Sequence, residues 1–278
     1  PSSPRRRGSH QLDYNICLWQ KIPAFAGMTK ILNILLNSYQ QLNIGRTVVE
    51  NPKTILLNEM RKLLGQAYNP YVAKLEDHCD IILTNLEDGT NCLNDCLDSS
   101  RPLIVDLGCG AGNFLRDYSM VSPECDFIGF ELRFKRLVKG AAKFKKRDIK
   151  NIRLIRARAE DIGFWLPDDS VSEVHINFPD PWPKRRHQKH RLLTSQYLKL
   201  LHMKLKKGGN LIFKTDHQDY FLSVMEMIEQ QSLLKLVEYS DDLHNSAYRE
   251  QNIATEFEML FKGQGCPVYY LKTVVQGK

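Results

Sequence analysis

The 278-residue chain has no uninterrupted apolar run approaching about 18 residues, so it offers no candidate for a membrane-spanning helix. It also has no C-x-x-C pair. Its seven cysteines are an odd number, and no histidine or second cysteine pair lies near Cys92 and Cys96 at zinc-site spacing. A zinc ribbon and a disulfide framework are thereby excluded, and reduced thiols in a cytoplasmic, metal-free protein are expected. The apolar fraction and ordinary numbers of Gly and Pro exclude wholesale disorder, collagen-like sequence and a coiled coil. The 42% of apolar residues is enough for a sizeable core, in one large domain or a domain with an appendage.

Acid is what residues 133–158 lack. Twelve Lys and Arg fall there against Asp148 alone, although the chain's formal net charge is only +7. Residues 70–100 are the reverse, with Glu76, Asp77, Asp80, Glu87, Asp88, Asp95 and Asp98 facing a lone Lys74. A second basic run follows at Lys184, Arg185, Arg186, Lys189 and Arg191, interleaved with His187 and His190. Such runs are either solvated faces or the footprint of a phosphate backbone, and composition alone does not choose.

Periodicity divides the chain in three. Residues 1–27 begin on Pro1, carry Arg5-Arg6-Arg7, and show no sustained period, so they are expected to be a non-native or disordered leader. Residues 28–100 are expected to form a helical and linker extension. Its helix is predicted over 54–66, from the stripe Ile55, Leu56, Leu57, Met60, Leu63 and Leu64 behind Thr54. Residues 101–278 alternate short apolar runs with amphipathic segments. Strands are predicted at 103–107, 126–130, 152–156, 173–178, 210–214, 233–238 and 267–272, and helices at 112–120, 134–147, 192–206 and 217–231. This alternation implies an α/β fold, with a mostly parallel seven-stranded sheet covered on both faces. No strong helix separates the last two strands, so an antiparallel edge strand is expected. Ligands of such sheets bind beyond the carboxyl ends of the strands.

The first of those ends reads Asp106-Leu107-Gly108-Cys109-Gly110-Ala111-Gly112. Its glycines let backbone N–H groups approach a ligand. A carboxylate beside the turn would repel a pyrophosphate, but it suits the cationic amino-acid end of S-adenosylmethionine (SAM). Glu131 ends the second strand, where it can accept both ribose hydroxyls. At the third, Arg158 and Ala159 sit where adenine would be held. The fourth reads INFPDPWPKRRHQKHR. Its three prolines in five residues make a rigid turn that fixes Asp180 between Phe178 and Trp182, a device for holding a planar base. The cations after it could hold the flanking phosphates.

These segments resemble the bacterial tRNA (guanine-N7)-methyltransferases. INFPDPWPKRRHQKHRL matches the most specific motif of that family, DLGCGAGNFL and GFELR its cofactor motifs, and Lys214-Thr215-Asp216, Thr255-Glu256-Phe257-Glu258 and Gly265-Cys266-Pro267-Val268-Tyr269 its downstream ones. The resemblance covers roughly residues 101–273. It implies a Rossmann-like SAM-dependent methyltransferase fold that methylates N7 of a variable-loop guanosine of tRNA, usually position 46, and releases S-adenosylhomocysteine. Asp180 would be catalytic. Asp106, Gly108, Gly110, Glu131, Arg133, Arg158, Ala159 and Asp180 would hold SAM. Lys184, Arg186, His187, Lys189, Arg191, Asp216, Thr255, Glu256, Phe257 and Glu258 would contact substrate or RNA. Arg158 stands where many relatives carry Asp or Asn, so adenine is expected to be held through backbone or another side chain. His190 replaces a frequent arginine, and the segment before 101 lacks the expected basic arm. Two other readings stay open: an amino-methyltransferase acting on another RNA base, disfavoured because the acid lies between prolines, and a non-catalytic RNA-binding relic of the fold. The sequence leaves monomer and weak homodimer undecided.

Overall fold

Leu103–Leu107 are five consecutive buried residues, as a strand covered on both faces requires. The computed structural model describes residues 69–84, 93 and 100–276, which belong to one unit, Asn69–Lys278. The expected leader at 1–27, the helix at 54–66 and most of the rest of the 28–100 extension lie outside the described residues. In chain order the elements are β1 (Ile82–Leu83), β2 (Leu103–Leu107), α1 (Asn113–Val121), β3 (Asp126–Phe130), α2 (Phe134–Lys146), β4 (Ile152–Ile155) and α3 (Ile162–Trp165). There follow β5 (Val171–Asn177), α4 (Ser195–Lys204), β6 (Leu205–Thr215), α5 (Gln218–Glu229), β7 (Leu234–Ser240), α6 (Glu256–Gly263) and β8 (Tyr269–Val275).

The sheet order is β1-β4-β3-β2-β5-β6-β8-β7. All pairings up to β6 are parallel, and β8 runs antiparallel to both β6 and β7. Alternate strand residues feed two apolar layers. Ile104, Phe127, Ile152 and Leu154 pack with Leu137, Val138, Ala141 and Phe144 of α2 and with Phe114 and Leu115 of α1. Leu103, Val105 and Leu107 pack on the other face with Leu198 and Leu201 of α4 and Phe221 and Val224 of α5. The order reverses at β2, between β3 and β5, which is where a doubly wound sheet opens its ligand crevice.

The α/β reading holds, with two refinements. An eighth strand, β1, arises from the segment expected to be an N-terminal extension. It is two residues long, too short to show a period, and is held by Leu154 N–H donating to Ile81 O and Arg156 N–H to Leu83 O. The antiparallel strand is β8, inserted between β6 and β7 instead of forming the edge. Burial explains the exchange: Tyr269, Tyr270, Leu271, Thr273 and Val275 are all buried, whereas β7 leaves Val237 and Tyr239 exposed, as an edge strand can. β6 extends back to Leu205, and the helix expected at 192–206 is confined to Ser195–Lys204, capped where the Thr194 hydroxyl accepts from Tyr197 N–H.

Gly112 caps α1 in the left-handed region at φ +66°, and a Cβ there would stand 2.5 Å from the Phe144 ring of α2. Strain and overlap act together, so Gly112→Ala should cost about 2–3 kcal/mol. Thermal melting checks this; a melting point like the parent's would contradict it.

Candidate active site

Asp106 is the buried last-but-one residue of β2 and accepts a hydrogen bond from Asn177 Nδ2, at the end of neighbouring β5, at 3.2 Å. Burial pushes its carboxyl up to about 7, against the Asn177 hydrogen bond and the positive charge of Lys214, with Glu131 adding to the rise. The turn that follows is tied to β3, because Gly108 N–H and Cys109 N–H both donate to Phe130 O, at 2.9 and 3.0 Å. Gly108 and Gly110 take φ +88° and +58°, and the space where their Cβ atoms would stand is open. A ligand can therefore lie directly against this backbone.

Glu131, at the end of β3, is buried. Its Oε1 accepts from Arg133 N–H at 2.8 Å and its Oε2 from Arg136 Nη1 at 3.2 Å. These bonds orient the carboxylate and leave it further acceptor capacity. The Arg133 and Arg158 side chains are exposed. At the end of β4, Arg158 N–H donates to Asp161 Oδ2 and the Ala159 carbonyl accepts from Tyr197 Oη. A desolvated acid beside an open glycine turn, with an oriented acid on the next strand, fits a ligand with a cationic amino-acid end and a ribose. The residues present thus fit SAM, as the sequence leads one to expect.

Asp180 is exposed, three residues beyond Asn177, in a turn of unusual backbone. Phe178 and Trp182 on either side take φ +50° and +44°, sparsely populated for residues carrying a side chain. Phe178 N–H donates to Lys214 O at 2.8 Å and its ring packs on Phe261 of α6, centroids 5.3 Å apart. Trp182 faces His190 and His187 at 5.3 and 6.0 Å. Arg191 turns inward: it is buried, donates from Nε to Pro181 O at 2.9 Å and from Nη1 to Ser223 Oγ, and lies over the Tyr220 ring. It braces the proline turn from beneath. Lys184 is exposed at the N-cap of the 3-10 segment Arg185–His190, on which Arg186 and Lys189 are exposed and His187 is half-buried.

Thr255–Glu258 splits by direction. Thr255 and Glu258 are buried and form a capping box at the start of α6, Glu258 N–H donating to Thr255 Oγ1 and Thr255 N–H to Glu258 Oε2. Glu256 and Phe257 are exposed. Phe257 reaches within 6.4 Å of the Phe178 ring centroid, and Glu256 accepts from Asn113 Nδ2 at the start of α1. Asp216 is exposed just beyond β6. What sequence reasoning missed is Lys214 as a junction. Its buried ammonium donates to Glu258 Oε2 and Ile253 O, both at 3.1 Å, and to Asn252 Oδ1. Burial lowers its pKa, against the pull of Glu258 and Asp106. The signal was a lysine directly after the apolar run Leu211–Phe213 of its strand. Among the described residues no group of His, Cys, Asp and Glu could hold a metal, and no helix is long and apolar enough to cross a membrane.

A family described as "Putative methyltransferase" matches residues 100–271. A bifunctional glycosyltransferase/methyltransferase of Fusobacterium nucleatum subsp. nucleatum is 39% identical over 197 residues; these are 70% of this chain but 30% of that protein, so the chain spans under a third of it. A tRNA (guanine-N(7)-)-methyltransferase of Listeria monocytogenes serotype 4a is 34% identical over 200 residues, 72% of this chain and 92% of the relative. Among solved structures, the 16S rRNA methyltransferase KamB shares the fold, with a TM-score of 0.50 at 14% identity over 67% of this chain and 92% of that one. A 34% identity that runs nearly the whole length of the Listeria enzyme carries the assignment: the chain belongs to the SAM-dependent tRNA (guanine-N7)-methyltransferase family.

Proposed function

We propose that this enzyme methylates N7 of a guanosine in the variable loop of tRNA, with Asp180 at the reaction centre. The observation that carries the reading is the turn Pro179–Pro183, which presents an exposed carboxylate, flanked in sequence by Phe178 and Trp182, at the end of the strand that adjoins Asp106. The SAM sulfonium supplies an electrophilic methyl group. Guanine N7 has an unprotonated lone pair at neutral pH, so the protein needs no base to strip a proton from it. The remaining work is alignment and support for the positive charge that develops on the purine. Asp180 does both, accepting from the guanine edge and countering that charge. Phe178 and Trp182 offer flat surface to the base. Asp106, Gly108, Gly110, Glu131, Arg133, Arg158 and Ala159 hold the cofactor. Lys184, Arg186, His187, Lys189 and Asp216 face the RNA, with Glu256 and Phe257 beside them, while Arg191, Thr255 and Glu258 set the shape of the site from inside. The reading includes a reducing, cytoplasmic setting, supported by free Cys79, Cys109, Cys125 and Cys266.

The test is transfer of radiolabelled methyl from SAM to bulk tRNA, followed by nucleoside analysis. The expected product is 7-methylguanosine, and a methylated exocyclic amine would overturn the proposal. Asp180→Asn should lower kcat roughly tenfold to a hundredfold while changing SAM affinity little, because alignment and charge support are lost in the transition state. Unchanged turnover would remove Asp180 from the mechanism.

A further inference from the structure

We propose that the solvent face of α2 is a second RNA-binding surface, on which Lys135, Lys139 and Lys146 take the phosphate backbone of the tRNA away from the methylated base. This rests on the tRNA reading above and adds residues outside the motifs that suggested it. α2 buries Leu137, Val138, Ala141 and Phe144. At 100° per residue Lys135, Lys139 and Lys146 fall within a narrow stripe on the opposite side, and all three are exposed. The stripe runs about 17 Å at 1.5 Å per residue. It begins two residues after Arg133, whose N–H holds Glu131 at the cofactor site.

An ordinary solvated helix face is laced with carboxylates three or four residues from its lysines. This helix has none: from Phe134 to Lys146 it carries Lys135, Arg136, Lys139, Lys143, Lys145 and Lys146 and no acid. Arg136 and Lys145 are taken up by Glu131 and Asp80, and Lys143 donates to Asn113. Among the described residues, Lys139 and Lys146 make no ion pair, and Lys135 has only a distant ring, that of Tyr71 at 6.0 Å. Lys135 and Lys139, like Lys139 and Lys143, are like charges four residues apart, which weakens a helix. Lys135 also lies in the first turn, where the helix dipole disfavours a cation. Lys135 and Lys139 thus work against the helix that bears them, and a polyanion laid along the stripe relieves these conflicts, while Lys146 in the last turn extends the stripe. A single nucleotide is too short to reach all three lysines, whereas an RNA strand continuous with the substrate in the active site is long enough.

The test is tRNA affinity of the full chain across a salt series, for the parent, for Lys135→Glu/Lys139→Glu/Lys146→Glu, and for the triple Lys→Arg variant. Losing three phosphate contacts should flatten the log–log salt slope by about 2–3 and weaken binding at least about tenfold near 100 mM salt. The arginine variant should bind like the parent, and SAM affinity should stay unchanged in all three, which verifies folding. Parental slope and affinity in the glutamate variant would overturn this surface alone. A parent that binds tRNA without salt dependence would overturn it together with RNA binding through the 184–189 run. A parent that binds tRNA but makes no 7-methylguanosine would sink the proposed reaction while leaving the surface to stand or fall on the slopes.

Discussion

Replacing Lys214 by alanine is expected to destabilise the fold by about 3–5 kcal/mol, because it strands a fully buried Glu258 without its cation. Thermal or denaturant unfolding measures the loss directly. A buried ion pair can be replaced far more cheaply than it can be broken, since removing both partners leaves no uncompensated charge. Lys214→Met combined with Glu258→Leu should therefore recover most of the stability. Recovery of turnover is not expected. Lys214 and Glu258 tie the end of β6 to Asn252 and to the cap of α6, and so fix where Glu256 and Phe257 stand beside the Phe178 turn. A single Lys214→Ala variant that melts like the parent would show the pair to be incidental. A double variant with full turnover would show that the cap position does not matter for the reaction.

Asp106→Asn is expected to weaken SAM binding on the order of 100-fold or more, since the buried carboxylate proposed to hold the ligand's ammonium is lost. The same change should stabilise the free protein. The folded-state carboxyl titrates at about 7, above its unfolded value of 3.8, so its contribution to stability is fully present below about pH 4. That contribution falls as pH rises towards 7, by roughly 1.4 kcal/mol per pH unit, and is gone above it. The melting point of Asp106→Asn relative to the parent should then climb between pH 5 and pH 7 and level off by pH 8. In the parent, SAM affinity should rise over the same interval as the carboxylate ionises. Calorimetric titration with SAM and melting curves at pH 5, 7 and 8 test both halves. A melting-point difference independent of pH would mean that Asp106 stays ionised in the free protein.

Much of the candidate site is legible in the chain itself. Asp106, the glycine turn, Glu131 and Asp180 all follow short apolar runs, and in a parallel sheet the residue after each strand is placed by that strand alone. The basic run at 184–189 is legible for a related reason, since a rigid proline turn leaves it nowhere to go but the rim. The sequence misleads where a residue's role depends on a partner distant along the chain. Arg191 looks like one more cation of the run, and only the hydroxyl of Ser223, the ring of Tyr220 and the carbonyl of Pro181 turn it inward. Thr255 and Glu258 look like two members of a binding motif, and the capping box and the ammonium of Lys214 bury them.

The sequence by itself determined the α/β class, the strand ends that carry acids, and the family, because periodicity and contiguous motifs are local properties of the chain. The tertiary structure decided the insertion of β8 between β6 and β7, the recruitment of Ile82–Leu83 as an eighth strand, and the inward face of the Thr255–Glu258 motif. These depend on which backbone edges and buried charges find one another across tens of residues. No residue carries that information alone, because the desolvation of a charge or an unpaired strand edge exists only once the chain has closed around it.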